Sequence, residues 1–490
     1  MSVPIDGREV IIRAYRLDLK GVGGYTVPVY FLDTDLPAND DDARKITERL
    51  YAGDPDHRIR QEAVLGIGGR RMLRAIGHDL GKFHMNEGHA CFVCIELLSE
   101  RISRTIERGS GVTTDQFGGL SERIVNDVRK LCVFTTHTPV AAGHDRFPIE
   151  RVKSIIGDHP VFNRPDLYGD GETLNTTKLA MNFSSFVNAV ARKHGEVSRK
   201  MFPGYPIQAI TNGVHATTWT HPAVRDLFDE YCQNWRFENM DLRHAAGIPA
   251  DKLMLAHTHA KRELIDLIGD RTGNRLDPEA LTLVFSRRMT DYKRPTLALT
   301  DLERLAALHE KHPIQFVFAG KAHPHDGRGQ EIIQTILAAA KQLEGKLPIV
   351  FLPSYEIEVS KTLVSGADVW LNNPRPPLEA SGTSGMKAAL NGVPSLSTMD
   401  GWWLEGCVEG VTGWSIGTEE GDAEYGSDLA AMDRAHTLGL YDRLEHDIAP
   451  LYHENKTGWA DVMRSCIAMN GTFFTTERMV REYALRAYLA

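Results

Sequence analysis

Lys387 is the residue whose neighbours most plainly invite chemistry. It lies in the run Glu379-Ala380-Ser381-Gly382-Thr383-Ser384-Gly385-Met386-Lys387-Ala388-Ala389-Leu390-Asn391. An apolar run from Ala367 to Leu371 precedes it and another from Val393 to Leu396 follows, which predicts strand, glycine-rich turn, helix, strand. Gly382, Thr383, Ser384 and Gly385 would open that helix, and the first N–H groups of a helix have no intrahelical acceptor, so they form an anion site. An amine within a turn of such a site meets the two needs of pyridoxal phosphate, a Schiff base for the aldehyde and an anion hole for the phosphate. Taken alone, a lysine beside a Gly/Ser turn reads more simply as a solvated side chain on a capped helix.

A second cluster is cationic. The apolar run Leu281-Thr282-Leu283-Val284-Phe285 is followed at once by Ser286-Arg287-Arg288-Met289-Thr290-Asp291-Tyr292-Lys293-Arg294. A strand that delivers Arg287, Arg288, Lys293 and Arg294 into one loop concentrates anion-binding groups. A solvated basic loop would interleave more acids than the single Asp291. Three further strand ends carry Asn or His: Asn86-Glu87-Gly88-His89, then His137 after the run Lys130–Thr135, then Asn212 to Trp219 after Pro206–Ile210. Each alone is equally a capping Asn or a surface His. Ligands of α/β proteins bind at the carboxyl ends of parallel strands, so the three together predict one wall of a cleft lined with partners for sugar hydroxyls. No pair of carboxylates stands out as the acid and nucleophile of a hydrolase.

The elements that must carry these residues alternate. After Leu253 the order is helix, strand at 281–285, helix at 299–309, strand at 315–319, helix at 330–343, strand at 348–352 and helix at 357–364, leading to the Lys387 stretch. This rhythm predicts a parallel sheet with helices on both faces. Residues 9–35 read as a hairpin, 60–76 as a helix whose Gly-Ile-Gly-Gly packs closely against a neighbour, and 429–489 as mostly helical. At 490 residues two domains are expected. Composition is that of a soluble globular protein, and a net charge of −9 with mixed signs gives no reason to expect nucleic acid or membrane partners. No apolar run nears the roughly 20 residues that span a bilayer, and the amino end has no apolar signal core. Six cysteines suit a reducing cytoplasm. Cys91 and Cys94, in an apolar helical context, read as packing thiols rather than a redox or zinc pair, and no metal site is expected.

The ordered set from Glu379 to Asn391 resembles, position for position, the pyridoxal-phosphate attachment signature of the α-glucan (glycogen, starch and maltodextrin) phosphorylases. The segments Asn-Glu-Gly-His-Ala at 86–90, Thr-Thr-His-Thr-Pro-Val at 135–140, Ile-Thr-Asn-Gly-Val-His at 210–215, the 287–294 loop and Trp370 to Lys387 occur in that family's order. The wording, Met-Asp-Gly-Trp-Trp-Leu-Glu-Gly at 399–406 included, is similar to the shorter bacterial and archaeal branch. The resemblance covers nearly the whole chain. It implies two doubly wound Rossmann-like domains facing a cleft (GT-B type): 1–225 a glucan-binding domain, 226–250 a connection, 251–440 a cofactor domain, and 441–490 helices packing back on the first domain.

It also implies roles. Lys387 would carry pyridoxal phosphate, with Thr383, Ser384, Trp219 and Tyr355 lining it, although a neighbouring basic position of the animal enzymes is Glu356 here. Arg288 and Lys293 would bind the substrate phosphate with Arg287 beside them. His89, His137, Asn212, Glu379, Ser381 and Gly382 would contact the glucosyl unit, the carbonyl of His137 facing an oxocarbenium-like transition state. The reaction would be retaining phosphorolysis of a terminal α-1,4 bond of a glucan or maltooligosaccharide by inorganic phosphate, giving glucose 1-phosphate, with the cofactor's 5′-phosphate as proton relay. A homodimer is implied. The family's amino-terminal Asn-Gly-Gly-Leu-Gly loop has no counterpart, so the first domain is expected to be incomplete, and a separate amino-terminal chain, a truncated frame or a divergent glucan-binding paralogue are the readings this opens. A nucleotide-sugar glycosyltransferase of the same two-domain class is the further alternative; its helix has no need of Lys387.

Overall fold

A computed structural model of the chain describes residues 1–50, 53–108, 120–322, 326–419, 422, 425–426 and 428–489. It divides into two compact units: Met1–Val190 with Gly195–Ala209 and Tyr483–Ala490, and Ala191–His194 with Ile210–Glu482. Each has its own α/β core.

The first unit opens with two antiparallel hairpins, β1 (Ser2–Ile5) with β2 (Arg8–Ile11) and β3 (Arg13–Lys20) with β4 (Thr26–Asp33). Helical turns from Pro55 to Ala75 follow, started by the Asp54 side chain, which accepts from His57 N, and by Pro55 at the first position. A Cβ at Gly66 would lie 2.6 Å from Val93 N, so the glycine-rich step serves close packing, as its sequence suggested. The unit's sheet is parallel, ordered β10-β9-β6-β5, from β5 (Phe83–Asn86), β6 (Cys132–Thr135), β9 (Phe186–Ala189) and β10 (Gln208–Ala209); the short pair β7 (Arg146–Pro148) and β8 (Thr173–Asn175) is antiparallel beside it in sequence. Cys91 and Cys94 are buried near the start of the helix Val93–Glu107, where burial pushes both thiols up.

β9 carries no sequence signal of its own, being four residues with a polar one inside. Asn188 is nonetheless fully buried: its Oδ1 accepts from Thr135 Oγ1 at 2.8 Å and its Nδ2 donates to Tyr483 Oη at 3.0 Å. His84 bonds Thr135 Oγ1 and Tyr488 Oη, each at 2.7 Å. These bonds tie Tyr483–Leu489 to the first unit's sheet.

The second unit holds β11 (Leu281–Ser286), β12 (Ile314–Ala319), β13 (Ile349–Leu352), β14 (Val369–Asn372), β15 (Ser395–Thr398) and β16 (Gly413–Ile416), all parallel, in the order β13-β12-β11-β14-β15-β16. Leu281, Leu283 and Phe285 enter one apolar cluster and Val284 another. Both faces of the sheet are therefore covered, which explains strands without polar alternation. The strand order reverses between β11 and β14, leaving their carboxyl ends side by side.

Three boundaries differ from the sequence expectation. The first unit's main stretch ends at Ala209 rather than 225, residues 210–225 belonging to the second. Residues 226–250 are not a tether: Phe228, Trp235 and Leu242 are buried in the second unit's core. Most of 441–490 also belongs there, because Leu444, Ile448, Tyr452, Trp459 and Ile467 fill that same core, and only the segment from Tyr483 onward joins the first unit. Charged surface composition at 226–250 concealed a few large apolar anchors. No helix among the described residues is long and apolar enough to cross a membrane.

The start of β14 is held by a buried ion cluster. Asp368 Oδ2 accepts from Lys261 Nζ at 2.6 Å and from Thr282 N at 2.8 Å, and Oδ1 meets His257 Nε2 at 2.8 Å. Burial alone would raise this carboxyl, but Lys261 and His257 hold it well below the usual range. Its stabilisation is thus present above the ordinary Asp pKa and is lost as pH falls through the depressed folded value. Asp368→Ala should lower stability by about 3–5 kcal/mol by leaving Lys261 buried and unpaired. Urea unfolding followed by tryptophan fluorescence measures this, and an unchanged midpoint would contradict the assignment.

Candidate active site

The adjacent ends of β11 and β14 bring three charges together. Arg287 follows β11 directly; its guanidinium bonds Asn372 Oδ1 at the end of β14 and lies 3.0 Å from Glu379 Oε2. Lys293, on the short turn Asp291–Lys293, reaches the same Glu379 oxygen at 2.5 Å. Lys293 and Glu379 are both buried. Burial, with repulsion from Arg287, pushes the Lys293 ammonium down to about 7 against the pull of Glu379. On Glu379 burial acts upward, but Arg287 and Lys293 more than offset it and keep the carboxylate ionised. Arg294 turns away. Its Nε and Nη2 donate to Asn373 O at 2.9 Å and Pro374 O at 3.0 Å, and Nη1 to Asp433 at 2.8 Å. Arg288 is exposed. Of the four cations in this loop, two converge on Glu379, one is structural and one faces solvent.

The loop after β15 backs this cluster. Asp400 Oδ2 accepts from Glu379 N at 2.8 Å, Asp400 Oδ1 from Gly401 N at 2.8 Å, and Ser381 O from Trp402 N at 2.8 Å. Gly401 has φ +57°, and a Cβ there would stand 2.3 Å from Ser381 O, so only glycine allows this approach. The turn passes Gly382 at φ +70°, where a Cβ would be 3.5 Å from Arg287 Nη2; Arg287 therefore lies over the turn. The helix Ser384–Ala389 then begins with no side chain capping it, and Ser384 Oγ accepts from Trp370 Nε1 at 3.1 Å.

Lys387 Nζ lies 3.8 Å from the centroid of the Trp219 ring and has no hydrogen-bond or ion-pair partner among the described residues. Burial, and then Arg287, lower its pKa. Trp219 ends the short helix Ala216–Trp219, whose cap is the His215 ring. Tyr355 donates to Ser360 Oγ at 3.0 Å and packs, like Trp219, against the apolar cluster that contains Trp370 and Ala388; Glu356 is tied to Arg271 at 2.9 Å. Asn212 is half-buried, its carbonyl accepting from Arg478 Nη2 at 3.0 Å.

In the first unit the ends of β5 and β6 are joined by Glu87. Its carboxylate accepts from His137 N at 2.6 Å, Thr138 Oγ1 at 3.0 Å and Gly88 N at 3.2 Å. His137 Nε2 bonds Asn86 Oδ1, and burial lowers the ring's pKa. His89 Nδ1 is 3.4 Å from Asp145 and 3.6 Å from Glu62, and hydrogen bonding to these two acids raises it to about 9. Arg58 pairs with Asp145 as well. Glu62, His89 and Asp145 also have the grouping of a cation site, but Arg58 already pairs with Asp145 and burial pushes Glu62 up to about 7.

Arg287, Lys293, Glu379, Ser381 and Gly382 thus gather around one turn, with Thr383, Ser384, Lys387 and Trp219 along the helix that leaves it. Asp400 and Asn391 were not singled out by sequence reading. Asp400 comes two residues after β15, close to the end of a strand like the other polar residues singled out, which was a usable signal. Asn391 closes the Lys387 run itself, and its role depends on contacts that no spacing shows.

Fold and site define an α/β protein whose strand ends gather a lysine, a buried cation pair and an open helix start. The profile of the carbohydrate phosphorylases matches residues 128–410. The chain is 39% identical, over its whole length, to the maltodextrin phosphorylase of Thermococcus litoralis, and 35% identical, over 94% of its length, to the glycogen phosphorylase of Aquifex aeolicus. It is 32% identical over its whole length to an uncharacterized protein of Methanocaldococcus jannaschii, of which it covers 84%. The chain belongs to the carbohydrate phosphorylase family. It spans 60% of the length of the Thermococcus litoralis protein and 70% of the Aquifex aeolicus protein.

Burial pushes the Asp400 carboxyl up to about 7 despite its two N–H donors. An unfolded Asp titrates near about 4. Between about pH 4 and 7 the unfolded chain has released a proton that the folded chain keeps, so stability falls as pH rises, by up to about 4 kcal/mol from this group. Asp400→Asn removes the titration. Denaturation at about pH 4.5 and 7.5 should show a smaller loss in the variant than in the parent protein; equal losses would contradict the buried acid.

Proposed function

We propose that this chain catalyses retaining phosphorolysis of terminal α-1,4-linked glucosyl units of glucans or maltodextrins, releasing glucose 1-phosphate, with pyridoxal phosphate held on Lys387. The observation that carries this reading is the meeting, around one turn and the helix that leaves it, of a half-buried amine with no hydrogen-bond or ion-pair partner among the described residues, an uncapped helix start and two cations sharing one carboxylate. The relatives named maltodextrin and glycogen phosphorylase support it. The reversal of strand order between β11 and β14 supports the doubly wound reading of the second unit.

The residues present fit the cofactor. Lys387 offers an amine with its pKa lowered, the usual condition for a lysine that joins a carbonyl. Thr383 and Ser384 supply the helix start, and Trp219 and Tyr355 an apolar wall. When bound, pyridoxal phosphate supplies a second phosphate group able to exchange a proton with the substrate phosphate. Arg287 and Lys293 bind and orient phosphate, offsetting the repulsion between two anions, and Arg288, exposed in this structure, would join them by turning inward. Glu379 exchanges partners as phosphate arrives: it gives up Lys293 and Arg287 and accepts a glucosyl hydroxyl instead. Asp400 holds the Glu379 backbone through this exchange. Ser381, Gly382 and Asn212 of the second unit, and His89 and His137 of the first, are glucosyl-binding residues in this proposal. The family resemblance gives the His137 carbonyl, rather than its ring, the place facing positive charge developing on the sugar; the ring itself is engaged by Asn86.

Purified protein incubated with pyridoxal phosphate should gain a near-ultraviolet absorbance band, and borohydride should fix the added mass on the Lys387 peptide. Lys387→Ala should remove both signals and all glucose 1-phosphate formation from maltooligosaccharide and phosphate. Lys293→Met should reduce turnover by about a hundredfold or more, the usual loss for one oriented donor at developing charge. Protein that stays colourless sinks the proposal, and consumption of a nucleotide sugar in place of phosphate would favour a glycosyltransferase.

A further inference from the structure

Asn391 is fully buried, and its side-chain amide is saturated. The carbonyl accepts from His221 N at 2.7 Å; the amino group donates to Trp219 O at 2.8 Å and to Lys387 O at 3.0 Å. Both N–H donors are used, and on segments distant in sequence. One end of this bridge is the backbone of the lysine. The other two clamp the peptide groups at Trp219 and His221, the residue whose ring lies over the lysine amine and the end of the turn behind it. The backbone around Asn391 is equally fixed: its own N–H donates to Ala388 O at 2.9 Å, and Gly392 at φ +76° turns the chain back so that Val393 N reaches Ala388 O at 3.1 Å. The side chain therefore projects from an anchored point.

We propose that Asn391 is a positioning residue for Lys387, locking the segment Trp219–His221 to the helix that carries the lysine and so fixing the indole over its amine. The proposal rests on the reading above only for what Lys387 binds. Alanine in this position would leave Trp219 O and His221 N without their partner, and aspartate would lose both donors while burying a charge. The Trp219 ring lies 3.8 Å from the amine, so freedom in residues 219–221 changes the solvation of Lys387 directly, which a general loss of packing does not.

The test compares Asn391→Ala with Leu390→Ala, a truncation of a neighbouring buried core residue that leaves the amide bridge intact. Thermal unfolding matches the two variants for stability. Competitive amine labelling of the cofactor-free chain across pH, with the Lys387 peptide read by mass spectrometry, reports the lysine's titration without any activity. Fluorescence titration reports the dissociation constant for pyridoxal phosphate. Asn391→Ala should move the Lys387 midpoint up toward that of an ordinary lysine and weaken pyridoxal phosphate about tenfold; Leu390→Ala should leave both at the parent values. Equal labelling profiles for the two variants would overturn the inference. A moved midpoint in a chain whose parent takes up no pyridoxal phosphate would sustain the positioning role and sink the cofactor reading alone.

Discussion

One carboxylate oxygen holds the second unit's site together. Glu379 Oε2 is shared by Arg287 and Lys293 in a setting where all three side chains are largely withdrawn from water. Two cations against one anion leave this trio with an excess positive charge. Desolvation makes the imbalance expensive in free energy, which is why Lys293 is driven to the edge of losing its proton while Glu379 is held firmly ionised. A bound phosphate would remove this tension, and the same carboxylate that blocks the cations becomes free to take a neutral partner. On the proposed function the site is a competition between an internal acid and an external one.

The groups that hold this cluster come from three neighbouring strand ends. Arg287 follows β11, Asn372 ends β14, and Asp400 comes two residues after β15. These strands are consecutive across the point where the sheet's order reverses, and it is the reversal that leaves their ends together rather than spread along an edge. The covered faces of the sheet then fix the strands in place, since alternate residues of β11 are locked into separate apolar clusters. A shift of any one strand by one residue would exchange those faces, so the charge geometry at the ends inherits the precision of the two cores.

Much of this was legible in the sequence because the strands of the second unit are apolar on both faces and each stops abruptly at polar residues. The run from Ala367 to Leu396 announced strand, turn, helix, strand, and the same elements occur as β14, Ser384–Ala389 and β15. Less legible were residues whose importance lies in a partner far along the chain. Asn188 lies inside a four-residue strand with no sequence signal of its own, yet it accepts from Thr135 and donates to Tyr483, fastening the two. Lys261 looks like a surface charge on a long helix and is instead buried against Asp368. Among the basic residues at 287–294, sequence could not separate Arg294, which supports the backbone of Asn373 and Pro374, from Lys293, which faces the turn. Spacing shows which side chains cluster along the chain; it does not show which way each turns.

Two of the named strand ends also carry backbone strain, and in both the residue type supplies what holds it. Glu87 has φ +69° and ψ 169°, a region nearly reserved for glycine, at a cost of about 1–3 kcal/mol. Glycine would adopt that conformation freely, but it would have no carboxylate to accept the N–H of His137 and the hydroxyl of Thr138, and the ends of β5 and β6 would lose their link. Arg294, at φ +46°, is held in the same way by its bonds to two backbone carbonyls and Asp433. The strain is therefore not a defect that the core tolerates. At Glu87 it accompanies a side chain at a strand end reaching across to the next strand, and at Arg294 a side chain in the loop after β11 reaching the backbone beyond β14; both mark positions where a polar side chain, rather than the apolar core, determines where the loop goes.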